Sequence, residues 1–84
     1  MIFELVTPAK SLAKFEAGEV NLPGGEGSFG VLPGHAPMLS TLKPGKTRVR
    51  NERGEEIIYN TGSGFVDVSQ EKVTVLTDHA AVAE

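Results

Sequence analysis

Cysteine and tryptophan are both absent from this 84-residue chain. Without thiols, neither a disulfide framework nor a thiolate metal site can staple so small a domain. Aromatic residues make up only 6%, four Phe and one Tyr, which is thin for a base-stacking platform. The net charge of −3 argues further against nucleic acid as the main partner, because phosphate backbones are held by cations. Apolar runs stop after a few residues, far short of the roughly 20 that a helix needs to cross a bilayer. The opening Met1-Ile2-Phe3-Glu4-Leu5-Val6 has no basic segment and turns acidic at once, so it does not read as a secretory signal. Long helical periods are missing too. What remains is one soluble, cytoplasmic domain that buries only about 60% of its unfolded surface, small enough for a partner surface to add to its stability.

What is present is glycine and proline, ten and five residues, spaced between short runs of β-formers. Gly27-Ser28-Phe29-Gly30-Val31-Leu32-Pro33-Gly34-His35-Ala36-Pro37-Met38-Leu39 forbids a helix and reads as strand, rigid corner, strand. Around it, Ile2–Val6, Ser11–Glu16, Glu19–Leu22 and Met38–Leu42 read as strands, with Val20 and Leu22 facing inward. Pro23-Gly24 ends the third of these. Lys43-Pro44-Gly45 is a turn in which Pro presets φ and Gly takes a position requiring positive φ. In Lys46–Arg50, Thr47 and Val49 share one face and three cations the other. Asn51–Gly54 closes a hairpin onto Glu55–Tyr59, and Gly62-Ser63-Gly64 leads into a last hairpin, Phe65–Val68 with Lys72–Thr77. The expectation is all-β: a two-sheet sandwich of about ten short, mostly antiparallel strands over residues 1–78, with 79–84 as a short C-terminal tail.

Candidate chemistry is sparse. Gly25-Glu26-Gly27-Ser28-Phe29-Gly30 matches G-x-G-x-x-G in letters, yet Pro33 and Pro37 exclude the helix whose N-terminus would face a phosphate. Those glycines instead suit close approach of another backbone. His35 has no carboxylate or thiol at metal-ligand spacing; it reads as an imidazole packed at the corner or touching a partner. Ser63, Asp78 and His79 can be written as a triad, but no nucleophile elbow accompanies them. Lys46, Arg48 and Arg50 lie beside Glu52, Glu55 and Glu56, so the basic run reads as a solvated face.

The glycine–proline string, followed by Leu42-Lys43-Pro44-Gly45, resembles the signature of the epsilon subunit of the F-type ATP synthase. Phe3–Pro8 is similar to that family's first strand, and Gly62–Val68 and Val73–Asp78 resemble its later segments in the same order. The resemblance implies a non-catalytic central-stalk subunit that turns with the gamma subunit and the c-ring during ATP synthesis. It would lie peripherally on the cytoplasmic side of the energy-transducing membrane, with no cofactor, metal, small-molecule substrate or membrane insertion. Glu26, Gly27, Ser28 and Phe29 would face the c-ring, and Thr7, His35, Ala36, Pro37 and Met38 the gamma subunit. Gly30, Pro33, Gly34, Pro44, Gly45 and Gly64 would shape turns. The chain departs from the pattern at Lys10–Gly18, at Phe15 and at Ser28, where many relatives carry an acid. Family members usually continue with a pair of helices, so this chain matches a short form. The alternatives from other classes are a free-standing β-barrel adaptor that binds a peptide by strand addition, and a small hydrolase using Asp78 and His79.

Overall fold

A computed structural model describes residues 1–83. Nine strands fill it, with no helix among the described residues: β1 (Ile2–Val6), β2 (Ser11–Gly24), β3 (Gly27–Val31), β4 (Met38–Leu42), β5 (Gly45–Asn51), β6 (Glu56–Thr61), β7 (Gly64–Val68), β8 (Lys72–Thr77) and β9 (Ala80–Val82). The all-β sandwich expectation holds. All pairings are antiparallel except β1 with β8.

β2 differs from its sequence reading. It is one strand of 14 residues, not two, and it runs through both Gly18 and Pro23. Laid straight at about 3.3 Å per residue it would span roughly 46 Å, yet the molecule is only 26 Å in its longest dimension. It therefore bends, and the register slip between Ala17 and Glu19 marks the bulge where Gly18 lets it turn. Up to Glu16 it pairs with β1; from Ala17, at the bulge, onward it pairs with β5 and then also with β3. One layer is thus β4-β7-β8-β1 with the first half of β2, and the other is β3, the second half of β2, β5, β6 and β9.

Alternation fills the space between the layers. Phe3 and Leu5, Val66 and Val68, Val73 and Val75 point inward from the first layer, and Val20, Leu22, Val31 and Val49 from the second, all at most 2% exposed. The Phe3 ring sits 5.5 Å from Phe15 and 6.1 Å from Tyr59, centre to centre, joining the layers. Of the three buried threonines among the described residues, Thr47 and Thr61 bond each other at 3.0 Å, so burial leaves neither of these two unsatisfied.

Two further corrections concern ends and turns. Residues 79–83 are not an unpatterned tail: Ala80–Val82 pairs with Tyr59–Thr61 of β6, covering an edge that β6 would otherwise expose. Glu84, the end of the expected tail, lies outside the described residues. Gly45 does not take positive φ, which among the described residues is confined to Gly27, Gly34 and Gly54; it opens β5, and its place is explained by Pro23, whose Cβ a side chain there would approach to 3.1 Å. Gly64 likewise opens β7, where a Cβ would collide with the Leu76 carbonyl.

Candidate functional site

The corner between β3 and β4 is a turn closed by the His35 amide donating to the Leu32 carbonyl at 3.1 Å. Pro33 presets the first central residue, and Gly34 at φ +84° occupies the second, the pattern of a type II turn. His35 Nδ1 donates to the Ala36 carbonyl at 2.6 Å, so the imidazole is half-exposed and locally bonded, with no acid beside it. Among the described residues no group of His, Asp and Glu is placed to hold a metal ion.

The expected contact residues do not gather in one place. Thr7 follows Val6, at the end of β1 where β8 finishes. His35, Ala36 and Pro37 precede Met38, which pairs with Val68 at the opposite end of β7. The length of β7, about 13 Å for five residues, separates those two ends. Glu26, Gly27, Ser28 and Phe29 instead join Met38: together with Leu39, Ser40 and Thr41 they line a groove of about 530 Å³ between β3 and β4.

What connects the scattered residues is a feature not read from the sequence. Val6 stands opposite Leu76, Leu76 opposite Phe65, and Leu39 on the neighbouring strand is diagonal to Phe65. Leu76, Phe65 and Leu39 are 45%, 54% and 73% exposed. These residues form an apolar stripe across β1, β8, β7 and β4 on the outer side of the first layer. At its β1 end, Thr7 and Pro8 join Val6 and Leu76 around an apolar cleft of about 350 Å³; at its β4 end it reaches the groove beside Met38. Contiguous exposed apolar surface of this kind marks an interaction site. Charges flank the stripe: the Lys72 ammonium donates to Glu4 at 2.8 Å, which together with the Ser11 hydroxyl holds the Glu4 carboxyl below its usual range.

The hydrolase constellation is not assembled. Asp78 Oδ1 lies 3.0 Å from His79 Nδ1, both exposed, but Ser63 meets this turn through its carbonyl, which accepts from the Asp78 amide and the Thr77 hydroxyl. No helix of the described residues is long and apolar enough to cross a membrane.

The chain matches the model of the family described as "ATP synthase, Delta/Epsilon chain, beta-sandwich domain" over residues 1–83. It is 39% identical over its whole length to the ATP synthase epsilon chain of Jannaschia sp. (strain CCS1), covering 63% of that protein. It is 41% identical over 96% of its length to the epsilon chain of Caulobacter vibrioides, covering 93% of it. The chain spans roughly three-fifths of the length of several of the curated relatives it matches. Among solved structures, a chain in the Euglena gracilis mitochondrial ATP synthase (OSCP, F1 and c-ring) superposes with TM-score 0.91 at 28% identity, covering 98% of this chain and 52% of that one. A chain of the Tetrahymena thermophila central stalk and c-ring shares the fold, with TM-score 0.76 at 21% identity, covering 96% and 65%.

Proposed function

Since the chain belongs to the ATP synthase delta/epsilon β-sandwich family, we propose that it is a non-catalytic rotor subunit that couples the gamma subunit to the c-ring. The match along residues 1–83 carries this reading, and the apolar stripe gives it a physical basis. In this reading the outer side of the first layer lies against the gamma subunit, with Thr7 at one end of the contact and Met38 at the other. His35, Ala36 and Pro37 border it from the corner. The Glu26–Phe29 segment forms the far wall of the groove beside Met38 and turns its outward rim, away from the groove, to the c-ring. The subunit sits at the membrane periphery, on the cytoplasmic side, and contributes shape and stiffness and no chemistry of its own.

Stiffness follows from the construction. β2 belongs to both layers, so shearing one layer over the other must break its ladders. The six-residue connection from β3 to β4 is held by two prolines and a hydrogen-bonded turn. A body of this kind transmits torque with little local yielding. The epsilon-chain relatives and the Euglena gracilis ATP synthase structure favour this reading over the adaptor and the hydrolase.

The test is reconstitution. Membranes holding the enzyme stripped of this subunit should hydrolyse ATP with poor proton pumping, and adding the purified chain should restore the pumping. Pumping that is equally efficient with and without the chain, or substrate turnover by the chain alone, would contradict the proposal.

A further inference from the structure

One edge of β4 has backbone groups whose direction can be assigned. The Thr41 carbonyl accepts from the Gly25 amide at 3.0 Å, and the Lys43 amide donates to the Pro23 carbonyl at 2.9 Å. The odd-numbered positions at this end of β4 therefore turn their backbone groups toward β2. These groups alternate sides with period two along an antiparallel strand. The Leu39 N–H and C=O consequently point away from β7 and into the groove between β3 and β4. Among the described residues no strand takes them there: β2 meets β4 only at Gly24 and Leu42, and β3 pairs with β2 alone.

Sheets usually blunt such edges with charge, proline or a bulge. Neither Gly27–Val31 nor Met38–Leu42 contains a charged residue or a proline. The other free edge of this layer, Ser11–Glu16, carries Lys14 and Glu16. The unprotected edge also adjoins the apolar stripe at Leu39, so a partner covering the stripe reaches the groove without a gap.

We propose that the groove takes an extended segment of the gamma subunit by strand addition. The segment pairs with β4 through the Leu39 N–H and C=O and lays apolar side chains against Phe29 and Met38. Glu26 is the one charged residue lining the groove, which calls for a cation in the segment at that end and no other charge. This deepens the rotor reading and rests on it, because it specifies how the partner grips.

Two substitutions at Leu39 separate main-chain from side-chain binding. Leu39→Pro removes an N–H that the β7 ladder does not use, and proline is tolerated on edge strands in that orientation. Leu39→Ala removes the side chain and keeps the N–H. Affinity for the purified gamma subunit bound to the c-ring is measured by calorimetry, alongside amide exchange of the chain free and bound. The expected result is that Leu39→Pro weakens binding about tenfold more than Leu39→Ala, about 1.4 kcal/mol, since a hydrogen bond lost at a closed interface leaves its partner unpaired. The Leu39 amide of the unsubstituted chain should also become protected on assembly. Equal weakening by both variants, or an unprotected Leu39 amide in the complex, overturns strand addition and leaves the rotor reading standing. Self-association of the free chain that Leu39→Pro abolishes would assign the groove to a second copy and also overturn it. Failure of the unsubstituted chain to bind the assembly at all would remove both. If circular dichroism shows Leu39→Pro unfolded, the exchange measurement alone decides.

Discussion

The two outer sides of this sandwich are built on the same alternation and carry opposite surfaces. Outside β2, β5 and β6, Arg48 and Arg50 lie within 3.8 Å of Glu19 and Glu56, and Lys46 donates to Asn60 at 3.3 Å. Outside β1, β8, β7 and β4 runs the stripe of Val6, Leu76, Phe65 and Leu39. The first surface is finished in water, because its charges answer one another. The second is not, because among the described residues nothing covers its exposed large side chains. The difference favours the apolar side for the proposed rotor contact, and shows the cluster of cations in the sequence to be a paired, exposed ladder.

Substitutions sharpen that contrast, beginning with the largest effect. Leu5 and Val6 are neighbours on β1 that face opposite ways. Leu5→Ala, on the inner side, is expected to cost about 2–5 kcal/mol in urea unfolding of the isolated chain; a loss no larger than that of a surface substitution would break the assignment of sides. Gly34→Ala forces a side chain into positive φ at the corner and is expected to cost about 1–2 kcal/mol by the same measurement. An unchanged midpoint would mean the turn can relax. Arg48→Gln on the charged side should shift stability by less than about 1 kcal/mol, because its partner is exposed, and should leave affinity for the gamma subunit unaltered. A marked loss of affinity there would move the contact to the other side of the molecule.

The smallest effect concerns Glu4. Its carboxyl is held below the ordinary 4.5 chiefly by the Lys72 hydrogen bond and then by Ser11. A lowered folded-state value means a contribution that is present above 4.5 and lost as pH falls through the folded value. Glu4→Gln should therefore lower the melting temperature slightly at neutral pH, with the gap to the unsubstituted chain closing as the pH is taken below 4.5. A gap that widens in acid would contradict the assigned pairing.

Much of this was legible in the residues themselves. Lys46–Arg50 alternates cleanly, and Thr47 and Val49 are buried as that pattern requires. The Pro33-Gly34 corner follows from backbone chemistry, and it exists as read. The long β2 was not legible, because Gly18 and Pro23 carry the local signature of breakers. Gly18 instead sits at a bulge, and Pro23 keeps a carbonyl that accepts from Lys43. β9 was missed because Ala80-Ala81-Val82 has no alternation of its own and becomes a strand only against the β6 edge. The stripe escaped for a related reason. Val6, Leu39, Phe65 and Leu76 are far apart in sequence, and each passes singly for an ordinary strand residue. Only the registers of four strands set them in line. The resemblance assigns Glu26–Phe29 and Met38 to different partners, while the fold puts them around one groove.

The most direct test of the coupling surface is the affinity of Phe65→Ser for the purified gamma subunit bound to the c-ring, set against the urea stability of the same variant. Phe65 is 54% exposed at the middle of the stripe, so stability should stay within about 0.5 kcal/mol. Affinity should fall roughly tenfold or more, as it does when a central apolar anchor is truncated. Undiminished affinity in a fully folded Phe65→Ser variant would contradict the account.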